Sequence, residues 1–494
     1  MSLDAALPEL TAGAVAAAGR DLPERFVLIL DSAAEGALPS GDAGGGRLRL
    51  ECREVLRLLP GRRLVARVAV AGRPAILKLF VGPGARRYWA RERRGCRLLA
   101  GAGVTTPGIV AELQSGADET RGAHRAHGLL LEYLPEASPV SAEDAASVAR
   151  AAAQLARLHA AGCRHTDLHL ENFLTVPGSA TVYLIDGDGV RRCWSGVPGR
   201  RACRDDLGML CAQCPPLADD RLSDVYAAYA RERGWPTGGK SYAGNVARLA
   251  ATTRVQRRRR LQRYLAKAQR ECSEYVCRRN WRRHLLAVRD DWDDALAAFA
   301  EDPEAALRSG EVLKAGNSAT VARVCLGGRV CIVKRYNLKS RWHAVRRVLK
   351  PMARFRLAWL NGQRLHLLRI PTARPLALLE RRWGPLRGVA YLVMEDLGDL
   401  DLAAEVAARG LSEERLAQVV DIFRALQLAG LSHGDTKASN FLVGPAGVAV
   451  IDLDAMADSL AGQARDRRRF LANFDDRPDV RRRVAAAMAA AGLA

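Results

Sequence analysis

From residue 47 to about 80, apolar and polar residues alternate through RLRLECREVLRLLPGRRLVARVAVAGRPAILKLF, with breaks at Pro60-Gly61 and Gly72. A period of two sends alternate side chains to opposite faces, so the stretch reads as three strands joined by two turns. RRYWARERRGCRLLAGAG then shifts to helical spacing and ends in glycine. AHGLLLEYL reads as a buried strand, and SAEDAASVARAAAQLARLHAAG as a helix with Ser141 or Asp144 near its start and Gly162 as its stop. A sheet with one helix is thus predicted to precede a mainly helical part. Upstream, the glycine-rich PSGDAGGGRL (39–48) reads as a linker behind a short N-terminal arm.

The same order returns from about 311. Strands are predicted in EVLKAGNSATVARVCLGGRVCIVKRYN, a helix in FRLAWLNGQRLHLL, a strand in VAYLVMEDL and a helix in SEERLAQVVDIFRALQLAG. Corresponding residues keep a steady spacing: Lys78 with Lys334, Asp167 with Asp435, Asp186 with Asp452. The period is far longer than that of a solenoid repeat, so the pattern predicts two complete domains rather than an array.

Composition fits this picture. A chain of 494 residues is too long for one ordinary core. Hydrophobic residues at 49% and charged residues at 26% describe a folded globular protein. Lysine and arginine number 76 against 54 acids, a net charge of +22. That balance predicts a polyanionic partner, although part of the arginine excess has a bland reading in genomic base composition. Residues 218–300 hold much of it, in RVQRRRRLQRYLAKAQRECSEYVCRRNWRRHLL. They read either as C-terminal helices of the first domain with a solvated basic face or as a surface for anionic lipid or phosphate.

No window of about 18 apolar residues occurs, and the N-terminus does not read as a signal peptide. Eleven cysteines, an odd number, predict reduced thiols and a cytoplasmic location. The domain expectation is an arm and linker over 1–46, a first domain over 47–300 and a second over 301–494.

Each half orders the same chemistry. The first has a strand lysine (Lys78), a helix glutamate (Glu92), a loop aspartate (Asp167), an asparagine five residues on (Asn172) and an aspartate after an apolar strand (Asp186). Phosphoryl transfer needs a cation for nucleotide phosphates, oxygen ligands for magnesium and a carboxylate beside the attacking hydroxyl. One such loop is weak evidence, since a loop aspartate is commonly a turn or cap residue. Two copies, each preceded by a strand lysine and followed by an apolar strand and aspartate, are strong.

HTDLHLEN and HGDTKASN resemble the H-x-D-x-x-x-x-N loop of the protein-kinase-like fold, and LIDGDG and VIDLDAM its metal-binding aspartate motif. The second half, with LKAGNSATVARV, VKRYN, IPTARPLAL, HGDTKASNFLV, VIDLDAM and RDRRRFLANF, resembles the bacterial lipopolysaccharide kinases of heptose and Kdo sugars. The resemblance implies an α+β fold of two tandem kinase-like domains, each with a small antiparallel-sheet N-lobe and a mainly helical C-lobe. It implies ATP and Mg2+ as cofactors, with Asp167 and Asp435 orienting the acceptor hydroxyl and taking its proton. Asn172 with Asp186, and Asn440 with Asp452, would hold magnesium; Lys78 and Lys334 would contact ATP phosphates, with Glu92 positioning Lys78. Asp206 (or Asp205) and Asp466 resemble the helix aspartate that braces the loop.

The copies depart from the pattern differently. The first has His169 where many kinases have lysine; the second has that lysine, Lys437. No acid occurs between Tyr336 and Leu379, so Lys334 lacks a glutamate partner, and Asn361 is the nearest polar candidate on the helix. The phosphate-covering loops LLPGRRLV and KAGNSATV carry one glycine each, leaving backbone amides and Ser318 or Thr320 as phosphate donors.

Cys193, Cys203, Cys211 and Cys214 are close in sequence, and CAQC has metal-ligand spacing, but buried free thiols are the plainer expectation. His165 and His433 read as packing residues with a backbone hydrogen bond. Trp89, Trp281 and Trp292 read as core or interface residues.

The function expected is an ATP- and magnesium-dependent phosphotransferase acting on a sugar hydroxyl of the lipopolysaccharide core or its lipid A-linked precursor. Peripheral contact with the anionic inner-membrane surface accompanies it. The rivals are a protein serine/threonine kinase or small-molecule phosphotransferase, and a non-catalytic pseudokinase scaffold. Nucleic-acid binding is not expected, because aromatic residues are sparse in the basic segment and no binding motif accompanies it.

Overall fold

The computed structural model describes residues 7–18, 21–32, 47–115, 125–337 and 353–493. The expected linker over 39–48 lies mostly outside them. The chain is mixed α+β with mainly antiparallel sheets, and it divides into two compact units. One comprises Met1–Gln213 with Arg221–Thr253; the other, Cys214–Asp220 with Arg254–Ala494.

In the first unit the three expected strands are Arg47–Leu59, Arg63–Val70 and Arg73–Phe80. The last two meet in a tight turn in which both Ala71 and Gly72 have positive φ (47° and 78°), the backbone twist that antiparallel hairpins favour. Within the expected N-terminal arm, Glu9–Leu10 and Phe26–Ser32 are instead strands of this sheet. Phe26–Ser32 pairs with Arg47–Leu59 on one side and, at Asp31 and Ser32, with Ile109–Gln114 on the other, so the sheet closes on itself. The reason is apolar content: Phe26, Leu28, Leu30, Ala12 and Val15 all lie in its core. Helix Ala85–Gly101 carries Glu92. Helix Ala145–Ala160 starts at Asp144, whose carboxylate accepts from the amides of Ala146 and Ser147 at 3.0 and 3.2 Å.

The second unit also has a seven-stranded sheet, with helix Arg354–Leu367 packed on one face. Tyr275–Arg279 and Arg283–Val288 are strands of this sheet, pairing through Arg283–Val288 with Pro375–Trp383. Residues 254–300, expected with the first domain, therefore fold with the second unit. The basic sequence forms helix Gly239–Lys267, and from Arg254 onward it belongs to the second unit. Leu261 is buried in that unit's helical core, and buried Arg257 forms a bidentate pair with Asp219 at 2.6 and 3.0 Å. The strand Pro375–Trp383 also escaped the alternation rule. Leu379 faces one core and Leu378 another, so both sides of PLALLE are buried and no polar residue alternates. Helix Glu413–Ala429 matches expectation, capped by Ser412 and ended by Gly430 in the left-handed conformation.

Candidate active site

In the first unit, strand Arg73–Phe80 places Lys78 where it is 8% exposed. Its Nζ donates to Glu92 Oε1 at 2.5 Å and to the Ile185 carbonyl at 3.1 Å, and lies 4.0 Å from Asp186. Burial alone would lower the Lys78 pKa, but the carboxylates of Glu92 and Asp186 outweigh it and hold the ammonium above its ordinary value. Burial opposes ionisation of Asp186 as well, and Lys78 overcomes that, keeping its carboxyl below the usual range. The helix bearing Glu92 reaches this turn because Gly95 has no side chain: a Cβ there would sit 1.8 Å from the Gly187 carbonyl oxygen. The second aspartate of LIDGDG, Asp188, forms an ion pair with Arg91 on the same helix.

In the second unit Lys334 stands on the corresponding strand, Arg329–Tyr336. Its partners both come from VIDLDAM: Asp452 at 2.7 Å and Asp454 at 3.3 Å. Asn361 does not replace the missing glutamate. Its amide donates to the carbonyls of Leu453 and Met456 at 3.0 and 3.3 Å, so it holds the turn that carries Asp454. Asp454 also accepts from Tyr336 at 2.7 Å and Arg354 at 2.9 Å. Burial and this carboxylate push the Tyr336 hydroxyl well above its ordinary pKa, keeping it a donor. Asp452 adopts φ 62°, a left-handed conformation uncommon for a residue with a Cβ. Burial would raise its pKa, but Lys334 prevails and lowers it.

The loop aspartates differ too. Asp167 is 65% exposed, its one ion pair among the described residues being with His169 at 2.9 Å. Asp435 is 25% exposed and is flanked by Arg469 at 2.7 Å and Lys437 at 3.7 Å. Asn172 and Asn440 donate their amides to the carbonyls of Asp167 and Asp435 at 3.1 and 2.8 Å. Each asparagine is followed by a buried phenylalanine, Phe173 or Phe441, which anchors the loop in the core. With the amide nitrogen so engaged, each asparagine keeps its oxygen as an acceptor.

Both loops are pinned from behind. Asp466 accepts from the amides of His433 and Gly434 at 2.6 and 2.9 Å. Asp206 instead accepts from Arg164 and from His159 at 3.1 Å. His165 and His433 make the expected backbone contacts, to Asp186 and Ile451 carbonyls at 2.8 and 2.9 Å. Gln213 in the first unit bonds Leu168 and Leu170, and Asn473 in the second bonds Thr436 and Ala438. These amide clamps, with Asp454, Arg354 and Arg469, were missed by sequence reasoning. Only the shared D-x-D of IDGDG and IDLDA signalled one of them.

Among the described residues no group of three or more histidine, cysteine or acidic side chains is placed to hold a metal ion. Cys203 is buried between Arg233 (3.4 Å) and the Pro198 carbonyl (3.3 Å). Burial opposes its ionisation, but hydrogen bonding with His159, Tyr229 and Arg233 lowers its pKa to about 7. No described helix is long and apolar enough to cross a membrane.

Residues 302–488, which hold Lys334, Asp435, Asn440, Asp452 and Asp454, match the Lipopolysaccharide kinase (Kdo/WaaP) family. The protein is a kinase. A solved structure described as WaaP in complex with acyl carrier protein is similar at 23% identity, covering 42% of this chain and 87% of that one, with a TM-score of 0.31. No curated protein matches the kinase.

Proposed function

We propose that the kinase transfers the γ-phosphoryl group of ATP to a heptose or Kdo hydroxyl of the lipopolysaccharide core, at the second unit's site. The observation that carries this reading is the arrangement of Asp435, Asn440, Lys334 and Asp452 inside the family-matched region. Asp435 orients the acceptor hydroxyl and takes its proton as the oxygen attacks phosphorus. Lys437 and Arg469, beside Asp435, offset the charge of the incoming phosphoryl oxygens. Lys334, held by two carboxylates, is the cation for the nucleotide phosphates.

The donor set suits magnesium: Asn440, whose amide nitrogen is engaged by the Asp435 carbonyl, keeps its oxygen as an acceptor and Asp452 supplies a carboxylate, both hard oxygen ligands. Magnesium, when bound there, supplies charge neutralisation of the phosphates. Asn172 and Asp186 offer the same donors in the first unit.

The recurrence of Lys78, Asp167, Asn172 and Asp186 supports the first unit as a duplicated kinase-like domain. Its paired Lys78 and Glu92 favour nucleotide binding there, and its exposed Asp167 favours a non-catalytic role. The excess of basic residues fits the phosphates and carboxylates of lipid A and core displayed at the cytoplasmic face of the inner membrane.

The test is transfer of labelled phosphate from ATP to purified core oligosaccharide by the wild-type protein and by Asp435→Ala. Incorporation that requires ATP, magnesium and Asp435 supports the reading. Absence of incorporation into any core acceptor refutes it.

A further inference from the structure

Two hairpin tips lie side by side at one end of the second unit's sheet. The Arg382 amide donates to the Arg282 carbonyl at 2.8 Å, and the Gly384 amide to Trp281 at 2.9 Å. Together residues 278–283 and 381–388 hold seven arginines, two tryptophans and no acidic residue. Trp281 and Trp383, 63% and 67% exposed, form an edge-to-face pair with ring centroids 6.4 Å apart. The pair depends on Gly384, since a Cβ there would meet the Trp281 ring at 2.8 Å. Trp281, expected in a core or interface, is thus on the surface.

Most of the charge around this pair has no ion-pair partner among the described residues. Of the seven arginines only Arg283 has a carboxylate partner among the described residues, Glu301 at 2.6 Å. One guanidinium nitrogen of Arg382 and one of Arg387 are shielded from solvent without an acceptor. Burial and then Arg356, with Arg279 and Arg382 adding to it, lower the His284 pKa to about 4 despite the neighbouring Glu380.

We propose that these two tips are a docking surface for an anionic bilayer. Tryptophan favours the headgroup region, where its ring is half desolvated and its N–H stays hydrated. Arginines beside it attract acidic headgroups, each strengthening binding about fivefold. Charge complementarity selects the occupant: seven arginines, six of them without a carboxylate partner among the described residues, suit an acidic lipid surface, and the tips are turns rather than a groove that could track a polynucleotide. The inference deepens the membrane-substrate reading above and rests on it only for its biological setting.

The test is co-sedimentation of the whole protein with vesicles of phosphatidylcholine alone or with about one-third phosphatidylglycerol. Binding to the acidic vesicles, weakened by salt, is expected, with little to the neutral ones. Trp281→Ser with Trp383→Ser should weaken it about tenfold or more. Arg279→Gln, Arg282→Gln and Arg381→Gln together should weaken it on the order of a hundredfold. The corresponding lysine variants, which keep the charge, should retain most of it. These side chains are exposed, so all variants should melt near the wild-type temperature.

Equal vesicle binding by wild-type and substituted proteins overturns the proposal. So does tighter, tip-dependent binding to poly(U) at the same ionic strength. Transfer to water-soluble, deacylated core, assayed in parallel, should be unchanged in every variant. Absence of transfer by the wild-type protein alongside tip-dependent vesicle binding would count against the kinase reading alone, and transfer without tip-dependent vesicle binding against the docking surface alone.

Discussion

The lysines of the two units face the same requirement, an ammonium held near the first aspartate of the I-D-x-D turn, and meet it with carboxylates from different places. Lys78 takes Glu92 from a helix distant in sequence from the aspartate turn, while Lys334 takes Asp452 and Asp454 from that turn itself. In the first unit the second aspartate of the turn is drawn to Arg91. Helix Arg354–Leu367 of the second unit carries no acid, and there Asp454 closes on Lys334, Arg354 and Tyr336. A missing residue in a motif is therefore weak evidence for a missing interaction, because a nearby group of the same charge can take the place.

The loop aspartates give the sharpest test of this contrast. Asp435→Ala should lower phosphoryl transfer by about 10²–10⁴-fold, the range for loss of a positioned general base. Asp167→Ala should leave the rate nearly unchanged. The opposite result would assign turnover to the first unit and invert the comparison.

Next in size is the lysine pair itself. Glu92→Gln leaves a buried ammonium without its nearest carboxylate, so the first unit should lose about 3–5 kcal/mol, read by denaturant unfolding. Asp454→Asn should cost about 1–2 kcal/mol, since Asp452 remains 2.7 Å from Lys334. Equal losses would show that the two arrangements are energetically alike.

The smallest effect concerns the loop braces. Burial opposes the charge on both Asp206 and His159, yet their mutual contact and Arg164 lower the Asp206 pKa, and Asp206 with Cys203 raises that of His159. The aspartate's contribution is present above its unfolded pKa of about 3.9 and is lost as pH falls through the lower folded value. The histidine's contribution is present below about 6.5 and is lost as pH rises through the higher folded value. The first unit should therefore be most stable between these limits, and Asp206→Asn should flatten both edges in thermal melts across pH.

What was legible in the sequence was whatever depends on nearby residues. Alternation located Arg47–Leu59, Arg63–Val70 and Arg73–Phe80, because a strand with unlike faces declares its period. Capping located the helices that follow Asp144 and Ser412. The spacing of Asp167 to Asn172, and of Asp435 to Asn440, marked both loops, since each is one short turn anchored by the next phenylalanine.

Tertiary structure decided the rest. Pro375–Trp383 lies between two cores and shows no period, and Phe26–Ser32 becomes a strand only through partners across the sheet. The arginine-rich segment after Arg254 joins the second unit because Leu261 finds its core there. Local sequence can specify a charge or a turn, but Lys334 acquires Asp454, and Trp281 acquires Trp383, only where chain closure brings distant residues within contact range.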